Sequence, residues 1–386
     1  MSYDQESFLK GLAVGRILWK PPRAIPDIEV FAYTINLSED PTMGLEYNRL
    51  LFTNPTGSVT VEWGDGTDTV YPKNYQGGLN HIYEQSGLYK ITITGKMRLF
   101  RLTSDPFVVS VDSPLPSTVI TAENMFKGSK NLSRVTQHLF RRCGSSVQSF
   151  AHCFDGCKSL TRIPDHLFDG CVTATDFSYC FNGCAALESI PSGIFKDCVS
   201  ATTMASAFAL DYRGENITEI PGDMFSHCPN IVSFSHCFDH QALSTIPANL
   251  FKANVAAENF SGCFNVNPIL AIPEGLFSHN ANADNFNATF QGTAITEIPA
   301  SLFRNCPAVT SFSQVFDSCG ELSSIPSDLF LNCPNVDNFY WSFRNCQKVT
   351  SAVPELWNTH HATCHAGCFR YCSRASNYAD IPAGWK

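Results

Sequence analysis

The fold of this chain is decided by a phrase that reads FSYCFNGCAALESIPSGIFKDC over residues 177–198. Its central phenylalanine, Phe181 in this copy, recurs at intervals of 26 to 30 residues, at Phe126, Phe154, Phe181, Phe208, Phe238, Phe264, Phe290, Phe316, Phe343 and Phe369. A fixed period of roughly 20 to 50 residues is the signature of a stacked repeat array. The sequence therefore predicts a solenoid of about ten repeats over residues 104–386.

Four further features keep to this period. An aromatic residue or Met lies four residues before the central Phe, a spacing that predicts one face of a helical turn. Leu-x-x-Ile-Pro follows, as at 187–191, and predicts an extended segment that ends where Pro begins a new turn. A second aromatic comes next, and three residues after it stands Cys or Asn, as at Cys228 and Asn254. One repeat cannot bury its aromatic face alone, so stacking must supply the core.

The Leu-x-x-Ile-Pro and Phe-x-x-Cys phrases make residues 104–386 resemble a leucine-rich-repeat solenoid of the BspA-like kind. That pattern also accepts Asn or Cys at one position, where the side chain bonds neighbouring backbone inside a turn. The resemblance implies an α+β solenoid. The period here is longer than the family's, and Phe-x-x-Cys occurs twice in each repeat. Residues 109–116 are expected to form a partial first repeat that caps the array, and Trp385 is expected near a phenylalanine position of the last one.

Residues 28–103 predict a small all-β sandwich, because short runs alternate apolar and polar residues between turn signals. Strands are predicted over Val59–Trp63 and Tyr89–Thr94. The turn Trp63-Gly-Asp-Gly-Thr67, then His81-x-Tyr83 and Gly87-x-Tyr89-x-Ile91, resemble the PKD-type Ig-like sandwich, which implies a spacer or adhesion module without catalysis. Asp65 and Asp68 suit calcium by their chemistry, although turn aspartates usually bond their own backbone.

Residues 1–27 form a short arm that is too small to fold alone. Phe8, Leu9, Leu12 and Trp19 supply its apolar side chains, and its glycines and prolines weaken any helix. The arm is expected to dock on this chain or another, or else to be a frayed terminus. Its opening resembles those of virion-associated proteins of phages and prophages, which implies an anchoring role.

Composition excludes several classes of protein. The net charge is -9 and Lys and Arg are not clustered, which argues against a nucleic-acid surface. No run approaches the roughly 18 apolar residues of a membrane helix, and the acidic N-terminus is not a secretory signal. All 17 cysteines lie between Cys143 and Cys372. Their odd number and repeat spacing favour reduced thiols in a protein made inside a cell over a disulfide framework.

No motif for catalysis, a cofactor or a phosphate is present, so a non-enzymatic protein without cofactors is expected. The cysteines fall mostly on core positions of the repeat, where small polarizable thiols pack well. The candidates for zinc are His361, Cys364 and His365, of which His361 and Cys364 are expected to lie outside the repeat pattern. A site without metal is the preferred interpretation.

Binding is expected on the solvent-facing sides of the coils. The segment 211–216 lengthens one repeat, and loops that break a period commonly carry recognition. Tyr212 and Arg213 in that segment, with Tyr340 and Trp341, are predicted to contact a host-surface glycan or protein. The alternative is that these aromatic residues belong to the aromatic-rich core and lie at its edge without a binding role.

Two main classes of function follow. The first is a non-enzymatic structural or adhesion protein of a phage or phage-like particle, such as a tail or head fibre, made in the host cytoplasm and acting outside the cell. The arm would dock on other virion proteins, and the solenoid would serve host attachment. The second is a BspA-like adhesin of a bacterial cell surface without its signal peptide. An intracellular repeat scaffold comes third, and a homo-oligomer is compatible with all three.

Overall fold

The computed structural model of the protein describes residues 29–37, 46–47, 51–53, 57–78, 80–212 and 214–386. The predicted arm, with Phe8, Leu9, Leu12 and Trp19, lies outside the described residues. Among the residues that are described, no helix is long and apolar enough to cross a membrane.

The first part of the chain is built from short strands, as its alternating pattern predicts. In chain order the described strands are β1 Val30–Asn36, β2 Glu46–Tyr47, β3 Leu51–Thr53, β4 Val59–Glu62, β5 Asp68–Tyr71, β6 Gln76–Gly78, β7 His81–Ile82, β8 Leu88–Thr94, β9 Leu99–Arg101, β10 Val108–Val111 and β11 Arg134–Val135. The two strands predicted from the sequence are confirmed as β4 and β8.

These strands form a mixed six-stranded sheet and a smaller antiparallel one. The larger sheet has the order β11-β10-β1-β8-β4-β5 and the smaller one the order β6-β3-β9, while β2 pairs with β7. Phe31 of β1 packs edge-on against Phe100 of β9, with 4.5 Å between ring centroids. The two sheets therefore share one apolar core. The PKD-type assignment of this module stays a prediction.

The larger sheet continues across the predicted boundary between residues 103 and 104. β10 lies antiparallel to β1 and parallel to β11, which already follows the first central Phe of the repeat array. Phe100 also contacts Phe126, the first ring of the central column, at 6.4 Å. The segment 109–116, predicted to cap the solenoid, thus includes a strand of the sheet. The sheet and the core are physically continuous where the sequence suggested two separate modules.

Beyond the sheet, the chain forms coils stacked in parallel. Parallel bridges join the residues five before each central Phe in an unbroken series, namely Ser149, Asp176, Thr203, Ser233, Asn259, Asn285, Ser311, Asn338 and Cys364. Around the central Phe, every second N–H donates to the next coil. Phe154 N–H bonds Cys180 O at 2.8 Å, and Gly156 N–H bonds Asn182 O at 2.7 Å. This ladder confirms the predicted solenoid.

The prediction of a helical turn before the central Phe is wrong, and the α component predicted for the repeat is wrong for the same reason. The chain makes two consecutive turns instead, Phe150–Cys153 and Phe154–Cys157, each closed by an N–H to O bond of 3.0 Å. The third residue of each turn has a positive φ, 56° at His152 and 73° at Gly156, as in type II turns. This geometry turns alternate N–H groups toward the next coil, whereas a helix keeps them within itself.

Stacked aromatic rings fill the interior of the coils. The central phenylalanines stack from Phe126 to Phe369 with 5.3 to 5.9 Å between successive centroids. The two other aromatic positions form further stacks that meet each other edge-on, as do Phe150 and Phe168 at 4.8 Å. Such pairs contribute about 0.5–1.5 kcal/mol each beyond the area they bury, so the rings favour one vertical alignment of the coils.

The exchange of Asn for Cys three residues after the second aromatic is confirmed as a ladder of side-chain hydrogen bonds. Buried Asn254 donates through Nδ2 to Phe225 O at 3.2 Å and to Cys228 O at 2.7 Å. The Cys228 thiol donates in the same way to Phe195 O at 3.5 Å. Burial raises the pKa of Cys228 to about 12, which keeps the thiol protonated and able to donate.

A second ladder lies three residues after the central Phe. The Cys319 thiol donates to Phe290 O at 3.1 Å, and Asn267 Nδ2 donates to Phe238 O at 2.8 Å. In both cases the acceptor is the central Phe carbonyl of the preceding coil. The twofold occurrence of Phe-x-x-Cys in each repeat therefore reflects two separate ladders of one kind.

The extended segment predicted by Leu-x-x-Ile-Pro is present but is not a strand. Residues 160–164 carry no ladder of their own, and Leu167 N–H bonds Pro164 O at 3.1 Å where the next turn begins. In most coils one main-chain bond ties these segments together, such as Glu188 N–H to Thr161 O at 3.1 Å. The coils are consequently held more densely on the turn side than on this side.

The last coils end in short helical pieces. A four-residue helix, α1, spans Leu356–Thr359, and 3₁₀ turns span Tyr378–Asp380 and Ala383–Trp385. Trp385 is buried and stacks on Phe369 at 6.5 Å and on His365 at 4.4 Å. The expectation that Trp385 lies near a phenylalanine position is confirmed, because its ring covers the end of the central column.

We predict that Asn254→Cys is tolerated better than Asn254→Ala. The thiol retains a donor for the carbonyl groups of the preceding coil, whereas Ala leaves two buried carbonyls without this partner, a loss of about 1–3 kcal/mol in the free energy of unfolding. Urea unfolding followed by fluorescence measures the difference. Ala253→Ser, at the partly buried residue next to this position, is the control. Equal losses for the two Asn254 variants would contradict the proposed role of the ladder.

Candidate functional site

The turns around the central Phe place side chains on a regular surface. We call turn face the residues three and two before this Phe and one and two after it. The residue two before the Phe has a positive φ in every coil from Asn124 to Gly367, and only Gly262 and Gly367 are glycines there. A non-glycine residue is strained in this conformation. The ladder between coils holds it there, so a side chain at this position is rigidly placed.

Where His236 and Trp341 occupy this position, the next coil has a glycine at the same position. A Cβ at Gly262 would lie 2.4 Å from the His236 ring, and a Cβ at Gly367 would lie 2.9 Å from the ring of Trp341. Each of these rings therefore lies over the glycine of the following coil. In an earlier coil, Tyr179 instead stacks on His152, with 4.6 Å between centroids and 6° between planes.

Carboxylates one residue after the central Phe organise the polar part of the turn face. Asp155 is 2.7 Å from His152 Nδ1 and 3.2 Å from Lys127 Nζ, and it accepts a hydrogen bond from Asn182 Nδ2 at 2.8 Å. These partners come from three consecutive coils. The polar side chains thus extend the cross-coil bonding to the surface.

A second carboxylate, Asp239, has two histidine partners. His236 Nδ1 lies 2.8 Å from Oδ2, His240 Nδ1 lies 2.6 Å from Oδ1, and Asn265 Nδ2 donates to Oδ1 at 2.9 Å. The hydrogen bond to Asp239 raises the pKa of His236, while partial burial acts in the opposite direction. Asp239 thus ties together side chains of two consecutive coils.

Aromatic rings and arginines gather in the last coils of the turn face. Tyr340 stacks on Trp341 with 4.4 Å between centroids, and the Arg344 guanidinium lies 3.7 Å from the Trp341 ring centroid. Arg370, in the next coil, lies 5.0 Å from the ring of Tyr371, which is 51% exposed. We call these five residues the aromatic–arginine patch.

Arg344 is fixed from below by a buried carboxylate. Its Nε and Nη2 atoms bond the two oxygens of Asp317 at 2.9 and 2.6 Å, and Asp317 is fully buried. Gln291 Nε2 donates to the same carboxylate at 3.0 Å. These bonds to Asp317 raise the pKa of Arg344. A two-pronged, partly buried pair of this kind is far better defined than a surface ion pair, so the ring of Trp341 rests on a fixed support.

The structure brings together two of the predicted binding residues and leaves the others apart. Tyr340 and Trp341 are in contact, as described. Tyr212 is 84% exposed beside a cavity of about 290 Å³ lined by Lys158, Leu210 and Asn216, among others. It lies in a coil five steps away from the patch along the stack, each step being 5.4 to 5.9 Å between central rings. Arg213 lies outside the described residues.

The zinc candidates do not converge. Cys364 occupies the bridging position five before Phe369, so the view that it stands outside the repeat pattern is wrong. Its side chain and that of His361 are exposed, while His365 stacks on Trp385 and places Nδ1 3.1 Å from Ala362 O. In the part of the chain that the structure describes, no group of three or more His, Cys, Asp or Glu side chains is arranged to hold a metal ion.

The calcium candidate Asp65 uses its carboxylate within the turn. Oδ1 accepts the N–H and O–H of Thr67 at 3.0 and 2.7 Å, and Oδ2 lies 2.6 Å from His81 Nε2. Burial acts to raise the pKa of Asp65, but the bonds to Thr67 and His81 prevail and lower it to about 2. Asp68 lies in β5 opposite Glu62. Asp65 therefore uses its carboxylate to bond groups of its own turn, as turn aspartates usually do, and of strand β7.

The buried cysteines of the two ladders are poor candidates for nucleophiles. Burial raises the pKa of Cys306 and of Cys333 to about 12, and thiols of both ladders donate hydrogen bonds to carbonyls. A reactive cysteine needs a lowered pKa and solvent access. These residues serve the core instead.

Sequence reasoning missed Arg344, Arg370, Tyr371 and Asp317. Their signal was present, since Arg344 and Arg370 each follow a central Phe directly, as Asp317 does in the coil before. Once the helical turn is replaced by two tandem turns, residues after the Phe join the surface that holds Tyr340 and Trp341.

Comparisons with known proteins add structural likenesses. No protein-family model and no curated protein matches the chain. Three solved structures are similar in part. The Toll–Spatzle complex of Drosophila has 16% identity and a TM-score of 0.29, over 57% of this chain and 40% of that one. The plant peptide hormone receptor RGFR1 in complex with RGF2 has 12% identity and a TM-score of 0.32, over 62% and 44%, and the LRR ectodomain of GASSHO1/SCHENGEN3 from Arabidopsis thaliana in complex with CASPARIAN STRIP INTEGRITY FACTOR 2 has 12% identity and a TM-score of 0.35, over 68% and 37%. This chain spans about two fifths of their length. At such scores, the solenoid fold rests on its own hydrogen bonds and ring stacks.

We predict that His236→Gln destabilises the protein more at about pH 5 than at about pH 8. The folded-state pKa of His236 lies above its unfolded value, so the protonated ring stabilises the fold below about pH 6.5, and this contribution is lost as the pH rises through the raised pKa. Thermal unfolding at both pH values measures the effect.

The exposed His361→Gln is the control for this experiment. In addition, NMR titration of Asp239→Asn should show a lower pKa for His236. An unchanged pKa in that variant would contradict the role assigned to Asp239.

Proposed function

We propose that this chain is a non-enzymatic adhesion protein of a phage or phage-like particle that binds a host-surface glycan or protein through its turn face. The aromatic–arginine patch is the observation that carries the proposal. It combines two stacked rings, an exposed tyrosine and two arginines on backbone that the cross-coil ladder holds rigid.

Such a patch has the composition of binding hot spots. Trp, Tyr and Arg are the residues that most often dominate the energy of an interface. Rigid placement lowers the entropy that binding would otherwise lose. Trp341 has a positive φ and lies over Gly367, and Arg344 is locked to Asp317. The side chains are thus arranged before any ligand arrives.

The assignment to a phage-like particle, acting outside the cell, is supported by the arm. Its sequence resembles openings of virion-associated proteins, and it precedes a spacer-like sheet module. A bacterial cell-surface adhesin is the alternative, favoured by the resemblance of the repeats to BspA-like arrays. The docking of the arm on virion proteins and any assembly of several copies belong to this proposal too.

We expect the double variant Tyr340→Ala, Trp341→Ala to bind its ligand about tenfold or more weakly. An array of bacterial surface glycans and envelope proteins, probed with the full chain, measures this. The full chain is needed because β10 pairs with β1 and Phe126 contacts Phe100, so residues 104–386 alone would expose both.

Tyr179→Ala is the matched control for the double variant. Tyr179 occupies the same repeat position as Trp341, with φ values of 57° and 56°, and is itself partly exposed. Equal losses in the control, or undiminished binding by the double variant, would refute the patch as the binding site.

Deleting residues 2–25 should abolish incorporation into particles and leave the unfolding transition of the remaining chain unchanged. The arm carries the apolar side chains expected to dock, while the described fold begins at residue 29. Particles purified by sedimentation and probed with antibody to the protein show the result. Normal incorporation of the shortened chain would exclude the anchoring role.

A further inference from the structure

We propose that the aromatic–arginine patch recognises a sugar that carries a carboxylate, with Arg370 binding the carboxylate and Tyr371 lying against the sugar ring. The inference rests on the proposed function and narrows it to one class of ligand.

The charge distribution along the chain favours an anion at this end. The whole protein has a net charge of -9. Residues 339–386, in contrast, hold five Lys or Arg side chains, at 344, 348, 370, 374 and 386, against two acidic ones, at 355 and 380. Arg344 and Lys348 are paired with Asp317 and Glu321 of the preceding coil, so Arg370, Arg374 and Lys386 supply the excess of positive charge. A local excess of positive charge on an otherwise acidic protein attracts anionic ligands to that part of the surface.

Of the two arginines in the patch, Arg370 is the one available to a ligand. Arg344 already makes two bonds to buried Asp317, and its charge is neutralised there. Arg370 is exposed, and among the described residues it has neither an ion pair nor a hydrogen bond from its side chain. Arg344 therefore positions Trp341, while the guanidinium of Arg370 keeps its full donor capacity.

The chemistry of Arg370 and its neighbour matches an acidic sugar. A guanidinium offers two parallel N–H donors that fit a carboxylate. Tyr371 stands beside it, 51% exposed and held at φ 68°. An exposed aromatic ring presents a flat apolar surface with a polar rim, which suits the apolar face of a pyranose ring. In the preceding coil, Tyr340 stacks on Trp341 and adds a second partly exposed tyrosine to the patch.

An acidic peptide fits less well. Extended peptides gain affinity by adding main-chain hydrogen bonds to a free edge. The edge of the last coil is instead covered by the C-terminal segment, as in Gly367 N–H to Gly384 O at 3.3 Å and Phe369 N–H to Trp385 O at 2.8 Å. The patch thus offers side chains rather than backbone, and side-chain recognition suits a sugar.

Titration calorimetry with the full chain tests the inference. The probes are oligogalacturonate and sialyllactose, with carboxyl-reduced oligogalacturonate and lactose as their neutral partners. We expect at least one acidic sugar to bind about tenfold or more tightly than its neutral partner. Arg370→Gln should weaken that binding about ten- to a hundredfold, and Arg370→Lys by less, because it keeps the charge and loses the fork.

Arg304→Gln is the control, since it removes the same charge from an exposed arginine in an earlier coil. An equal loss in Arg304→Gln would reduce the effect to net charge and overturn the inference. So would equal binding of acidic and neutral sugars, binding of neither, or tighter binding of polyglutamate or a sulfated oligosaccharide. If the Tyr340, Trp341 double variant still loses array binding in these cases, the proposed function stands and only the carboxylate is refuted.

Discussion

Each coil of this protein is held to the next by main-chain hydrogen bonds that leave its turns at every second residue. The bonds depend on left-handed residues two before and, in most coils, two after the central Phe, because in such a turn the N–H of the positive-φ residue itself points out to the next coil, as His152 N–H does to Ser178 O. Each bond contributes only about 0.5–1.5 kcal/mol net, but the series repeats along the whole stack. The ring columns, the thiol ladders and the turn face all take their spacing from it.

This spacing accounts for many of the cysteines, all of which are free thiols. Three residues after the second aromatic or after the central Phe, the side chain lies near a carbonyl of the preceding coil, and Cys228 and Cys319 donate to it there. Cys and Asn do this in one ladder, and the other ladder also uses Gln, since Gln241 Nε2 donates to Phe208 O. A small buried donor is the requirement, and a thiol with a raised pKa satisfies it.

The ladder also holds residues of strained backbone conformation on the turn face. Tyr179, His236 and Trp341 have a backbone conformation that large residues normally avoid. They persist because neighbouring coils determine the backbone, and their rings rest on a neighbour's ring or a neighbour's glycine. At the C-terminal end this arrangement meets Arg344, whose buried partner Asp317 stabilises the support below Trp341.

The amino-acid sequence by itself determined the period, the solenoid, the strands β4 and β8, and the Asn/Cys exchange, because each depends on residue types at fixed spacing. It did not determine the path of the chain between Phe150 and Phe154, since a separation of four fits a helical turn as well as two tandem turns. Only bonds from the next coil select the turns. It also did not show that β10 joins the sheet to the coils, or that Arg370 and Tyr371 lie near Trp341. Those contacts join residues that are 26 or more positions apart, and only the stacking of coils brings them together.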